Sequence, residues 1–216
     1  MVNQLKSENP KESKAHWDQV YTEKAEDSVS WYQKHADFSI HFLQKTGINQ
    51  SASIIDIGGG ASTLVDDLLL SGYKNLSVLD ISEIALSAAK KRLEKQADKV
   101  NWLVADITKT ILPANVYDVW HDRAVFHFLT SAADRKEYIQ NIIRAVKPNG
   151  HVIIATFAEN GPPQCSGLQV VRYSASSLHE ELGELFALIS HEEQLHYTPS
   201  GKAQQFVYCY FRILNE

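Results

Sequence analysis

The sequence predicts an α/β protein, a doubly wound sheet of mostly parallel strands with helices on both faces. Three observations carry that prediction. From about residue 48 onward, short apolar runs alternate with longer amphipathic ones, the signature of successive strand–helix–strand units. The first of these strands runs straight into glycines, DIGGGAST at Asp56–Thr63, and then into a helix. The chain closes with two strand-like segments joined by a turn around Ser200–Gly201, so the last strand is expected to run antiparallel.

In order, His16–Glu23 and Asp37–Lys45 have helical apolar spacing, the second stopped by Gly47. SIIDI (Ser53–Ile57) is a continuous apolar run ended by glycines, a buried strand. Ser62–Leu70 reads as a helix and Leu76–Leu79 as a strand. Ser82–Gln96 is a helix that Ser82 can cap, with Ile84, Ala85, Ala88 and Ala89 on one face. Strands follow at Val100–Val104 and Val116–Trp120, then a helix at Ala133–Val146 and a strand at His151–Phe157, the last two separated by Pro148 and Gly150. A helix at Ser174–Gly183 leads to strand-like Phe186–Ser190 and Gln205–Ile213. No linker or repeat interrupts this series. The expectation is a single domain, 1–216, with an N-terminal helical cap or lid over 1–47 and the sheet core over 48–216.

A chain of 216 residues can bury one sizeable core, and 44% apolar with 22% charged residues is ordinary for a globular protein. The net charge of −5 with no basic block argues against nucleic acid as partner. The polar start, MVNQLKSENPKESK, is unlike a signal peptide, and no apolar run approaches the roughly 20 residues that span a bilayer. Cys165 and Cys209 are too few and too far apart for a disulfide scaffold or zinc site, and the histidines show no ligand spacing. No metal or membrane is expected, and a reducing cytoplasm is the default location.

The glycine loop lets a ligand approach the backbone at a strand's carboxyl end, where exposed N–H groups suit anionic groups. It departs from a dinucleotide fingerprint at Thr63, where a small residue belongs, and it has no P-loop lysine. At the end of the next strand, VLDIS places Asp80 where a carboxylate can accept ribose hydroxyls. VADIT places Asp106 at the end of the third strand, within reach of a base's exocyclic amine. Each carboxylate alone would serve equally as a helix N-cap. Together with Asp56 they describe a nucleoside site without a phosphate.

The series DIGGG, LDIS, ADIT resembles the class I S-adenosylmethionine-dependent methyltransferases over Ile48 to Ile213. The resemblance implies a Rossmann-like, seven-stranded sheet with its last strand antiparallel, and S-adenosyl-L-methionine as cofactor. It implies that Gly58, Gly59 and Gly60 pack against that cofactor, and that Asp56 orients the loop and the methionine amino group. Asp80 with Ile81 would hold the ribose, Asp106 with Ile107 the adenine. One departure is Ser62, where the family usually has its third glycine.

YDVWHDRAVFHF (Tyr117–Phe128) ends the fourth strand, where ligands of such sheets sit. Asp122, Arg123 and His127 are the catalytic candidates, with His121 beside the cofactor and Phe126 beside the substrate. The competing readings are an Asp122–Arg123 pair that fixes a turn and a core histidine at His127. VWHDRAVFHFL followed by DRKEY, with the later GPPQCSG loop, resembles thiopurine S-methyltransferase and related thiol methyltransferases, in which an Asp-Arg pair lines the substrate pocket. His121 and Ala124 stand where those enzymes have tryptophan and glycine. HWDQVYTEKAEDSVSWY (His16–Tyr32) resembles the entry segment of small lysine methyltransferases of translation factors, and also that of the thiol enzymes. Both fold this segment over the cofactor, which implies Trp31 at the cofactor and Trp17 at the substrate, with helix packing as the other reading. Arg172 and Tyr173 end a turn-rich loop expected to wall the pocket, Cys165 being a bystander.

The expected function is methyl transfer to a small-molecule acceptor such as a thiol or related nucleophile. The alternative is protein lysine N-methylation, with a protein as partner. A nicotinamide oxidoreductase and a non-catalytic cofactor-binding protein are the remaining readings, and oligomeric state is left open.

Overall fold

A computed structural model of the chain describes residues 10–214; the polar stretch 1–9 of the expected cap lies outside the described residues. Two helices come first, α1 (Pro10–Glu23) and α2 (Asp37–Lys45). The core then alternates: β1 (Ser53–Ile57), α3 (Leu64–Leu70), β2 (Asn75–Asp80), α4 (Glu83–Leu93), β3 (Val100–Val104). It continues with β4 (Tyr117–Arg123), α5 (Ala132–Ala145) and β5 (Val146–Phe157). A short hairpin, β6 (Gln164–Cys165) and β7 (Leu168–Gln169), precedes α6 (Ala175–Leu182), β8 (Phe186–Tyr197) and β9 (Ala203–Ile213).

Seven strands form one sheet in the order β3-β2-β1-β4-β5-β9-β8. Only β9 runs against its neighbours β5 and β8, the antiparallel closing strand that the sequence predicts. Strand order reverses between β1 and β4, which pair in parallel from Ile54↔Val119 to Ile57↔Asp122. Their carboxyl ends therefore part at a switch point, the place where such sheets bind ligands.

Period-two alternation divides the apolar side chains between two faces. On one, Trp120, Ile154 and Phe211 pack against Tyr138 and Ile142 of α5 and Leu178 of α6. On the other, Ile54, Val119, Ile153 and Tyr208 pack against Phe42 and Leu43 of α2, Leu64 and Leu68 of α3, and Leu86 of α4. Ser82 caps α4 as expected, accepting from the Ala85 N–H at 3.2 Å. The expected buried face shifts, however: Ala85, Leu86, Ala89 and Leu93 are buried, whereas Ile84 is exposed. Among the described residues, no helix is long and apolar enough to cross a membrane, and no cluster of His, Cys, Asp and Glu could hold a metal.

Candidate active site

β1 ends at Ile57, and the next three residues turn so tightly that only glycine fits. Gly58 has φ 64°, and its N–H donates to the Leu79 carbonyl at 2.7 Å. A Cβ on Gly58 would fall 2.0 Å from Val125 Cγ2, and one on Gly60 would fall 2.8 Å from Asp80 Oδ2. The missing side chains thus keep open the space between the loop and the second strand's carboxylate.

Asp80 is held from below: its Oδ1 accepts the Ser82 N–H at 2.8 Å. Burial, together with the Asp56 and Asp18 carboxylates, pushes its pKa up to about 7. Asp106 is fixed the same way, Oδ1 accepting from the backbone N–H and hydroxyl of Thr108 at 2.9 and 2.7 Å. Both carboxylates face one cavity at the sheet's carboxyl edge, together with Gly58, Ile81 and Ile107.

α1 roofs this cavity. Ser82, the cap of α4, donates its hydroxyl to Asp18 Oδ1 at 2.7 Å and so ties the roof to the floor. Trp17, just before Asp18, and Tyr21, one turn after it, reach the lining. Trp17 meets Trp31 edge-on at 5.7 Å and Phe128 at 5.1 Å, making an aromatic wall. Cys165, the last residue of β6, completes the lining; burial pushes its thiol up to about 11. A second, smaller cavity adjoins the first past Trp31 and Gly58, with Ser39, Asp56, Thr63 and His121 around it. Arg123 lines both.

Alternation along β4 separates the residues of the HDR cluster. His121 faces α2: its Nδ1 is hydrogen-bonded to Asp56 Oδ1 at 2.7 Å, and its Nε2 to the Ser39 hydroxyl at 2.9 Å. Arg123 faces the same way, its Nε donating to the Tyr208 hydroxyl at 2.9 Å and Nη1 to the Trp31 carbonyl at 3.1 Å. Asp122 faces the other way. It accepts from the N–H groups of Val125 and Phe126 at 2.8 and 3.0 Å and from the Tyr138 hydroxyl. Burial raises its pKa to about 6. Between these turns Ala124 adopts φ 74°, a left-handed conformation rare for a residue with a Cβ.

Of the expected site residues, the structure brings Trp17, Trp31, Gly58, Asp80, Ile81, Asp106, Ile107 and Arg123 to the main cavity. Asp56, Gly59 and His121 line the smaller one, and Gly60 lies against Asp80 at the loop between them. Five expectations need correction. Asp122 lines neither cavity, because its carboxylate caps the turn after β4. His127 also lines neither; it is fully buried, and its Nδ1 accepts the Phe157 N–H at 3.2 Å. Burial, aided by Arg123, lowers its pKa to about 3, so the ring is neutral. Phe126 is fully buried against Tyr138 and Tyr173. Tyr173 is buried in turn, and Arg172 turns back to the Gly161 carbonyl at 3.2 Å. Conversely, Ser39, Tyr21, Cys165 and Phe128 are site residues that the sequence reading misses or sets aside. Tyr21 alone had a visible signal, four residues after Trp17 on one helix face.

Residues 55–154 match the model of a family described as a methyltransferase domain. The chain is 24% identical over 162 residues to EEF1A lysine methyltransferase 2 of Mus musculus, covering 67% of this chain and 65% of that protein. It is 24% identical over 160 residues to the ubiquinone biosynthesis O-methyltransferase of Rickettsia prowazekii (strain Madrid E), covering 68% and 62%. The chain thus spans somewhat under two thirds of these relatives' length. In fold it is similar to the Burkholderia thailandensis 1,6-didemethyltoxoflavin-N1-methyltransferase, whose structure holds S-adenosylhomocysteine. That likeness has a TM-score of 0.72 at 17% identity, covering 98% of this chain and 93% of that one.

Proposed function

Starting from the class I S-adenosylmethionine-dependent methyltransferase domain that this chain carries, we propose that it methylates a small-molecule acceptor already nucleophilic on arrival, a thiol being the fitting kind. The residues present suit the cofactor. The glycine turn leaves room beside Asp80, and Asp106 Oδ2 has no hydrogen-bond donor among the described residues. Asp80 with Ile81 would accept the ribose hydroxyls, and Asp106 with Ile107 would face the adenine. When bound, the cofactor supplies a methyl group on a sulfonium, open to in-line displacement.

The observation that carries the acceptor class is the lack of a free base in the main cavity among the described residues. Asp122 and His127 face elsewhere, and Asp80 and Asp106 lie at the nucleoside end. Cys165, with its pKa pushed up to about 11, keeps its proton at neutral pH. A hydroxyl acceptor would need a base to take its proton. A thiol ionises in solution near neutrality and needs none. What the chain contributes is then position and exclusion of water, with the α1 roof and the aromatic wall holding the partners. Well-held geometry of this kind is worth roughly 7–11 kcal/mol of barrier.

A protein lysine is the second reading. The wall of Trp17, Trp31 and Phe128 would suit an alkylammonium, and one relative is named as a lysine methyltransferase. Methyl-labelled S-adenosylmethionine, offered together with a panel of thiols, amines and phenols and with a cell lysate, separates the two. Label in the thiols is the expected result. Label confined to protein bands overturns the small-molecule reading, and label in phenols alone overturns the argument from the missing base.

A further inference from the structure

Arg92, in the last turn of α4, lines neither cavity. It nevertheless uses all five N–H bonds of its guanidinium. Nε and Nη2 hold the Asp66 carboxylate of α3 in a fork, at 3.0 and 2.8 Å. Nη1 and Nη2 donate to the Ala61 and Ser62 carbonyls at the exit of the glycine loop, at 3.0 and 2.7 Å. The second Nη1 hydrogen reaches Glu26 Oε2 at 2.6 Å, in the connection between α1 and α2 (residues 24–36). One side chain thus joins the glycine loop, the helix after it and the segment that passes over it.

That segment lies across the loop: Glu26, Trp31 and Gln33 line the smaller cavity together with Gly58, Ala61 and Ser62. Polar ties hold it. Asp67 accepts the Ala36 N–H at 2.7 Å and is hydrogen-bonded to His35 at 2.9 Å, and the Thr63 hydroxyl donates to the Gln33 carbonyl at 3.1 Å. At the other end the tie is Glu26 to Arg92. The Arg92 bonds are divided unequally, four to the body of the domain and one to the connection. If the connection lifts, Arg92 loses one partner and stays aimed by the other four, so the seat for Glu26 is preorganised. The Glu26 and Arg92 side chains are 37% and 27% exposed, which makes their attraction modest and sensitive to salt. A releasable arm needs that weakness.

We propose that Arg92 is a positioning residue for methyl transfer: four of its bonds shape the glycine loop and its seat, and the fifth draws the 24–36 connection down, with Glu26 as the releasing arm. This rests on the cofactor lying along the glycine loop and is independent of the acceptor class. Trp31 of the aromatic wall belongs to the same connection. The event that covers the loop therefore also completes the acceptor side, and the acceptor meets its wall only after the clasp has shut.

Two measurements on Glu26→Gln test this, one without ligand and one with it. In the ligand-free protein, limited trypsin digestion reports opening through cleavage after Lys24 and Lys34, both exposed in the connection. Cleavage there should run about twofold to fivefold faster than in wild type, the worth of an exposed ion pair. Stopped-flow release of S-adenosylhomocysteine should quicken by the same factor at low salt. Raising the salt should speed release from wild type and close the gap, because screening removes the arm that the variant lacks. In Arg92→Gln release should quicken about tenfold or more, and adding Glu26→Gln should change it no further. If Arg92→Gln does not fold, Arg92→Lys is read in the same cycle, and Glu26→Gln decides without either. Cleavage and release at wild-type rates in Glu26→Gln, or additive effects in the double variant, overturn the proposal. Failure of wild type to bind S-adenosylhomocysteine would instead sink the methyltransferase reading, an outcome that the trypsin measurement tells apart from a missing clasp.

Discussion

Asp122 and Arg123 are consecutive in β4 and serve opposite faces of the sheet: the carboxylate meets Tyr138 of α5, the guanidinium Tyr208 of β9. Adjacent side chains of a strand must diverge in this way. Asp122 is therefore expected to be a folding residue. Asp122→Ala strips a buried hydroxyl and two N–H groups of their acceptor, and it should cost about 3 kcal/mol or more. Chemical denaturation measures the loss. Affinity of the remaining folded protein for S-adenosylhomocysteine should stay within about twofold. A stable variant with a lost turnover would show that the carboxylate acts in the chemistry after all.

That divergence also explains what the sequence revealed and what it hid. α2, β1 and β3 run over the residues expected, because a continuous apolar run or a helical stripe bounded by glycine has one reading. The Asp80 and Asp106 placements were legible for the same reason, each ending such a run. β8 extends to Tyr197 rather than Ser190, because SHEEQLHY lies on an edge strand exposed enough to carry polar residues. β5 starts at Val146, five residues early, through Pro148 and Gly150, and its register against β4 shifts between Tyr117 and Val119. The cluster HDR reads as one site when the strand is ended at Trp120; with β4 continuing to Arg123, alternation splits it. Ser39 had no local signal, since its partner His121 is 82 residues away.

Asp80 should make cofactor binding depend on pH. Burial raises its folded-state pKa to about 7 from the ordinary carboxylate value. A raised pKa means that the folded protein binds the proton more tightly than the unfolded chain. This group's contribution to stability is therefore full below the unfolded pKa and is lost as pH rises through about 7. Cofactor binding has the opposite dependence, because ribose hydroxyls need an ionised acceptor. Affinity for S-adenosylhomocysteine should fall as pH drops below about 7, by up to about tenfold per unit. Calorimetry in buffers of different ionisation enthalpy should detect a proton released on binding at the acid end. In Asp80→Asn both signals should vanish, along with much of the affinity.

Ala124, at φ 74°, carries strain that a glycine would not. The residue lies between Arg123, which lines both cavities, and Val125, against which Gly58 packs. Ala124→Gly relieves the left-handed penalty of roughly 1–2 kcal/mol and gives back part of it as unfolded-chain entropy. The expected net effect is a gain of a few tenths to about 1 kcal/mol in denaturant unfolding. A loss of stability would mean that the Cβ packs well enough in the cavity wall to outweigh its strain.

The roof helix should influence the floor through Asp18. Its Oδ1 accepts from Ser82 at 2.7 Å, and its charge is one of those holding the Asp80 pKa up. Asp18→Asn keeps the shape and a possible acceptor but removes the charge, whereas Asp18→Ala removes both. The two variants separate tethering from electrostatics. Asp18→Asn should move the acid limb of cofactor binding to lower pH, since a vanished like charge makes Asp80 easier to ionise. Asp18→Ala should produce the same displacement and also free α1 from α4, so that S-adenosylhomocysteine leaves about threefold to tenfold faster in stopped-flow release, the worth of one hydrogen bond. If both variants release ligand at the wild-type rate, Trp17 and Tyr21 hold the roof without the tether. If neither shifts the pH limb, the charge near Asp80 comes from Asp56 alone.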